Sequence, residues 1–252
     1  MPSTLRASPV TAFVPRDIFI LAGQSNMSGR GLLSEMPALP YSRWVKNFSN
    51  AWTWQGGAEP IDSATGQVDT VSIDLDAAVG PSMAFGSALA GLRPGREIGL
   101  VPCALGGSTM DEWAQNPSRS TLYGSMLARA IEASKAGTLK GAIFYQGEND
   151  TDTLDHVNTW VSRCAAMIAS LRSDLGLPNL PFIVTEIGPS DGNPSFPYTS
   201  EMQAAQAGMT GSNLAVVSAA DLTTKSDDLI HLTTASQMIL GSRYATAMQT
   251  ML

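Results

Sequence analysis

Five continuous apolar runs, separated by stretches of helical periodicity, constrain this chain more than any other feature. The runs are 17–22 (Asp-Ile-Phe-Ile-Leu-Ala), 97–103, 140–145, 181–187 and 214–219. A strand with no polar alternation has no solvent face, so it must be covered on both sides, as in a parallel sheet between two helical layers. The clearest intervening helix spans 153–175. Leu154, Val157, Trp160, Val161, Cys164, Met167, Ile168, Leu171 and Leu175 form one stripe at three/four spacing, and Gly176 and Pro178 stop it. A second helix covers 122–136 and ends at Gly137. The last begins at Thr234, read as a capping box with Gln237, and carries Ile239, Leu240, Tyr244 and Met248 inward. With right-handed crossovers this is an α/β fold: a three-layer α/β/α sandwich around a doubly wound, five-stranded parallel sheet of flavodoxin-like type. One domain is expected over 1–252. Residues 1–16 read as an N-terminal extension and 30–80 as an irregular excursion beside the site, rich in Gly and Pro and holding Trp44, Trp52 and Trp54.

Composition removes several function classes. With 15 basic and 22 acidic side chains, the net charge of −7 argues against nucleic acid as a partner. No run of 18 apolar residues is present to cross a membrane, and Met1 to Arg6 lack the apolar core of a signal peptide, which leaves localisation open. Cys103 and Cys164 read as buried free thiols. Only two histidines exist, His156 and His231, so a proton shuttle at neutral pH must use one of them and a three-histidine metal site cannot be built. Asp74 and Asp76 lie two residues apart without supporting ligands. Neither a metal nor a cofactor is expected.

Ligands of doubly wound sheets sit beyond the carboxyl ends of the strands. Four polar clusters fall there: Gly23 to Gly29; Gly106-Gly107-Ser108-Thr109, with Trp113 behind; Gln146-Gly147-Glu148-Asn149-Asp150; and Asp227-Asp228-Leu229-Ile230-His231. The first is not a phosphate loop, because the lysine is missing, and not a Gly-x-Ser-x-Gly elbow, because Met27 stands where the last glycine belongs. It leaves Ser25 at a strand-to-helix turn. Serine needs a base to take its proton. His231 is the better placed candidate, with Asp228 three residues earlier to hold its Nδ1 and Asp227 as the neighbouring alternative. His156 lies at the margin of a packing stripe and reads as a surface residue. Backbone N–H groups of Gly106 and Gly107 and the Gln146 amide are candidate donors to an oxyanion.

These residues carry a resemblance. Ala22 to Gly29 resembles the nucleophile block of SGNH-hydrolase-fold carbohydrate acetylesterases, the group of sialate O-acetylesterases and family 6 acetylxylan esterases. Gly106-Gly107-Ser108 with Trp113, Gln146 to Asp150, and Asp228 to Thr233 resemble its later blocks, and Val79 to Phe85 is similar to a further stretch. The likeness runs from about residue 18 to 245. It implies a cofactor-free serine esterase that removes O-acetyl groups from an acetylated carbohydrate. It further implies Ser25 as nucleophile, His231 as base and Asp228 as its orienting acid, with Glu148 the alternative orienter. The oxyanion hole would be formed by the Ser25 N–H, one of Gly106 or Gly107, and Gln146, and Gln24, Asn26 and Trp113 would support the site. Two other readings are weighed against it. One is glycoside hydrolysis by paired carboxylates, Glu148 with Asp150 or Asp111 with Glu112; the other is a non-catalytic carbohydrate-binding domain.

Overall fold

The computed structural model describes residues 14–190 and 193–252. Of the N-terminal extension expected over 1–16, residues 1–13 lie outside the described part. In chain order the first half holds β1 (Arg16–Gly23), the single turn α1 (Ser25–Ser28), β2 (Val45–Phe48), β3 (Trp54–Gly56), α2 (Ser82–Leu92) and β4 (Glu97–Pro102). The second half holds α3 (Leu122–Ser134), β5 (Thr138–Tyr145), α4 (Leu154–Asp174), β6 (Phe182–Glu186), α5 (Thr199–Ala207), β7 (Leu214–Ser218) and α6 (Thr234–Met251).

All strands join one sheet in the order β3-β2-β4-β1-β5-β6-β7. The five apolar runs became β1, β4, β5, β6 and β7, all parallel, in consecutive places. Among themselves they run in the flavodoxin-like order 2-1-3-4-5. Among the described residues the sheet has seven strands rather than the five expected. β2 adds in parallel beside β4, and β3 turns back antiparallel at the edge. Both come from the 30–80 excursion, which is thus partly sheet. They left no apolar run because β2 is only Val-Lys-Asn-Phe and β3 only Trp-Gln-Gly.

Side chains three apart on a strand point to opposite faces, and β5 shows which helices lie where. Phe144 meets Trp113 edge-on, with ring centroids 5.4 Å apart, and Trp160 of α4. Gly141 lies under Met248 of α6, where an added Cβ would be 2.7 Å from that side chain. So α6, with α2 packed on it through Gly241 and Ala84, covers one face. On the other, α3 and α4 are tied by a 2.6 Å hydrogen bond from the Tyr123 hydroxyl to Asp174, and α5 lies beside α4. Cys103 and Cys164 are buried and unbridged. Among the described residues no helix is long and apolar enough to cross a membrane.

The expected capping box is shifted by one residue. The N-cap of α6 is Thr233, whose hydroxyl accepts from Ser236 N–H at 3.2 Å. Thr234 is buried and its hydroxyl donates to Leu32 C=O, while the Gln237 amide donates to the Asn26 carbonyl at 3.2 Å instead of closing a box. The start of α6 is therefore bonded to the turn that carries Ser25.

Candidate active site

β1 ends at Gly23, with φ +132, where an added Cβ would sit 2.0 Å from the Tyr145 carbonyl oxygen. Only glycine lets β1 and β5 stay this close at their ends. The chain then turns at once into α1 and sets Ser25 at the sheet edge, beside an open cleft of about 540 Å³. Ser25 is 6 % exposed and its N–H has no hydrogen-bond partner among the described residues.

Across the cleft, the loop from Lys225 to His231 folds on itself. Lys225 N–H donates to His231 C=O at 2.7 Å and Leu229 N–H to Lys225 C=O at 2.9 Å. Leu229 takes φ +59, a left-handed conformation that costs a non-glycine residue about 1 kcal/mol. That turn lets the Asp228 carboxylate accept from three groups of its own loop: Ile230 N–H at 3.1 Å, His231 N–H at 2.9 Å and His231 Nδ1 at 2.9 Å. Lys225 Nζ adds a fourth contact at 3.0 Å. Partial burial alone would raise the Asp228 pKa, but these bonds outweigh it and hold the carboxyl well below the usual range. His231 Nε2 faces Ser25 Oγ at 2.9 Å. Ser25, His231 and Asp228 thus form one unbroken hydrogen-bonded chain. Asp227 points away, exposed and 3.7 Å from Lys225. His156 sits on the surface of α4, its ring 2.5 Å from Asp152.

Asn26 connects the two halves of that chain. Its Oδ1 accepts from Leu232 N–H at 2.9 Å, and its Nδ2 donates to Ile230 C=O at 3.1 Å. The residues on either side of His231 are therefore held by the residue next to Ser25. Glu148 does not reach His231. Its Oε1 accepts from Asn26 Nδ2 at 2.8 Å, which fixes which way the carboxamide faces. Its Oε2 is buried with no hydrogen-bond partner among the described residues, and burial pushes the Glu148 pKa up to about 7.

The two glycines after β4 are not equivalent. Gly106 N–H donates to Asp74 Oδ2 at 2.9 Å, whereas Gly107 N–H, at φ +74, has no partner among the described residues. Asp74, from the excursion, also accepts from Ser28 Oγ at 2.7 Å and from Arg30 Nη2 through both oxygens at 2.9 Å. It is a tie between the first two clusters. In the sequence Asp74 stands out only as a carboxylate two residues from Asp76, because its partners lie 46 and 32 residues away.

Gln146 is not placed where the sequence reading put it. It is fully buried; its amide donates to Ser108 C=O at 3.1 Å and Asp150 Oδ2 at 2.5 Å, and its carbonyl accepts from Trp160 Nε1 at 2.7 Å. The amide from this cluster that lines the cleft is Asn149, whose Nδ2 donates to Gly107 C=O. Gly147, at φ +151, redirects the chain between them. Gln24 lines the cleft too. Its Oε1 accepts from Gly147 N–H at 3.3 Å, so its amide nitrogen is the end left for the cleft. Trp113 is fully buried and donates to Ser108 Oγ at 3.0 Å, a support beneath the loop. Trp44, Trp52 and Trp54 lie outside the cleft lining.

The carboxylate pairs are engaged elsewhere. Asp150 is buried and accepts from Met110 N–H, Gln146 and Arg163. Exposed Asp111 meets Arg163, and Glu112 caps Thr109. Among the described residues no group of three His, Cys, Asp or Glu side chains is arranged to hold a metal ion.

A family model described as carbohydrate esterase, sialic acid-specific acetylesterase, matches residues 15–250. The chain is 34 % identical over 253 residues to the probable carbohydrate esterase At4g34215 of Arabidopsis thaliana, covering 92 % of this chain and 90 % of that one. The solved structure of the Arabidopsis thaliana protein AT4G34215 superposes with a TM-score of 0.79 over 94 % of this chain and 98 % of its own. Two more distant structures share the fold. NanS gives a TM-score of 0.67 at 17 % identity, over 94 % of this chain and 97 % of its own. XAC1771, a carbohydrate acetylesterase from Xanthomonas citri, gives 0.66 at 20 % identity, over 92 % of this chain and 55 % of its own.

Proposed function

The chain belongs to the sialic acid-specific acetylesterase family of carbohydrate esterases, and from that premise we propose that it removes O-acetyl groups from carbohydrate as a serine esterase, through an acyl-enzyme on Ser25. The observation that carries this reading is the 2.9 Å contact between Ser25 Oγ and His231 Nε2, continued at 2.9 Å from Nδ1 to Asp228, at the wall of an open cleft.

Ser25 Oγ attacks the acetyl carbonyl carbon as its proton passes to His231 Nε2. Asp228 accepts from Nδ1–H, which keeps Nε2 free to receive that proton and stabilises the imidazolium. The oxyanion that develops is met by the unpartnered N–H groups of Ser25 and Gly107 and by the second amide hydrogen of Asn149. Gly106 is passed over because Asp74 already holds its N–H, and Gln146 because both its donors are used inside the protein. Collapse breaks the ester C–O bond, and His231 returns the proton to the departing sugar oxygen. Water, with His231 again as base, then cleaves the acetyl–Ser25 bond and releases acetate.

The test is Ser25→Ala, assayed by acetate release. Turnover should fall by about 10⁴-fold or more while the far-ultraviolet circular dichroism is unchanged. Near-wild-type activity would end the reading.

A further inference from the structure

The Ser25 cleft does not end at its own walls. Leu105 is shared with a second depression of about 390 Å³, which Gln115, Asn116, Ser120 and Thr121 also line. Asp74 and Leu75 are shared with a third, of about 330 Å³, lined by Ser63 and Thr65. At about 30 Å³ per water, each neighbour has the volume of ten or more waters, room for a pyranose ring.

Two features of these walls specify a ligand. The first is polarity without usable positive charge. Hydroxyls and amides, which both donate and accept, line part of the second depression, and the hydroxyls of Ser63 and Thr65 line part of the third. The ionisable side chains other than His231 are Asp74, Asp76, Asp111, Glu112 and one cation, Arg30. Arg30 is already bound to both oxygens of Asp74 and to Ser28 and Gly29. A sugar carboxylate would find no free cation on the described walls and would face Asp76 and Glu112, Asp111 being paired with Arg163. The second feature is Leu75, an aliphatic side chain 84 % exposed on the ridge between two depressions, with Ile73 beside it at 39 %. An apolar ridge between polar hollows suits the C–H face of a sugar ring whose hydroxyls bond on either side.

Resting on the esterase reading above, we propose that the natural substrate is an uncharged, O-acetylated oligosaccharide. The acetylated unit lies at Ser25, one neighbouring sugar enters the depression beyond Leu105, and another lies against Leu75. The site selects against acidic sugars because its described walls carry Asp76 and Glu112 without a cation beside them and offer no unpaired cation.

The experiment measures kcat/KM for acetate release from O-acetylated xylo-oligosaccharides of one to six units, from O-acetylated sialic acid and from an aryl acetate. The neutral series should gain about tenfold or more between one and three units and then level off, since contacts with remote units are spent on the reacting centre. The acidic ester should fall about tenfold or more below the neutral monosaccharide, since like charges brought together weaken binding. Two exposed positions test the neighbouring hollows. Ala114→Trp, which fills the second depression, and Leu75→Asp should each lower the ratio of oligosaccharide to aryl acetate kcat/KM by about tenfold. A neutral series flat in chain length, or faster cleavage of the acidic ester, overturns this inference and leaves the esterase reading standing. Ester cleavage that survives Ser25→Ala overturns the esterase reading itself.

Discussion

Asn26→Ala separates the positioning of His231 from the fold that surrounds it. The side chain is fully buried and makes three bonds, two of them to the peptide groups on either side of His231. Truncation leaves Leu232 N–H, Ile230 C=O and Glu148 Oε1 without that partner. An unsatisfied buried polar group costs about 1–3 kcal/mol. Part of this is recovered if water enters the space of the lost carboxamide, so a total loss of about 3–5 kcal/mol is expected. A domain from the middle or upper part of the ordinary range of about 5–15 kcal/mol stays folded after that loss. The kinetic effect is separate. Asp228 and His231 keep their mutual geometry, because their bonds lie within one loop, but the loop is freed from Ser25. A displacement near 1 Å between reacting groups costs about 10²-fold. Turnover of an aryl acetate at 10 °C should therefore fall about 10²-fold with KM nearly unchanged, well short of the Ser25→Ala loss. Urea unfolding of the same preparation gives the stability term. Unchanged kcat in a destabilised variant would refute the reasoning, because Asn26 would then be structural only. A loss as deep as that of Ser25→Ala would refute it from the other side, by requiring Asn26 to act on the reacting atoms.

Asp228→Asn keeps the volume of the side chain but not its acceptor role toward Nδ1–H, so kcat should drop about 10²–10⁴-fold with fold retained; a loss under fivefold would point to another orienting group. Glu148→Gln should change how stability depends on pH. Burial raises the Glu148 pKa from 4.5 to about 7, so the native state holds that proton more tightly than the unfolded chain. The contribution is therefore present at low pH and is lost as pH rises from about 4.5 to 7, by about 3 kcal/mol at most. Urea midpoints at pH 5 and 8 should differ less in the variant than in the wild type; equal differences would rule out Glu148 as the source. Gly23→Ala places a Cβ 2.0 Å from the Tyr145 carbonyl and should cost about 2–4 kcal/mol in urea unfolding; a change within 0.5 kcal/mol of zero, the range of ordinary surface substitutions, would mean the strands part freely.

The parts that were legible in the sequence are those written locally. Strands buried on both faces must be apolar throughout, and so β1, β4, β5, β6 and β7 announced themselves. Asp228 and His231 were legible because their contact spans three residues of one turn. The rest depends on tertiary geometry. β2 carries Lys46 and Asn47 in a four-residue strand, with Asn47 Nδ2 donating to Ile61 C=O, and no local pattern separates that from a loop. Which amide of the Gln146 to Asp150 cluster faces the cleft was decided by the backbone at Gly147. Gln146 found three buried partners and Asn149 was left at the surface of the site. The capping residue of α6 moved from Thr234 to Thr233 because Thr234 is buried and bonds across to Leu32. Signals of that kind are ambiguous by one residue whenever two threonines are adjacent.

The self-bonded loop from Lys225 to His231 divides the constraints on this site unequally. His231 and Asp228 form a portable unit: the Leu229 turn and two backbone N–H bonds set their separation, and any scaffold that tolerates the turn would inherit it. What cannot be carried over is the junction with Ser25, 206 residues away in sequence. A redesign that moved this chemistry to another sheet would thus have one distance to solve, and the short list of groups that set it begins with the carboxamide of Asn26.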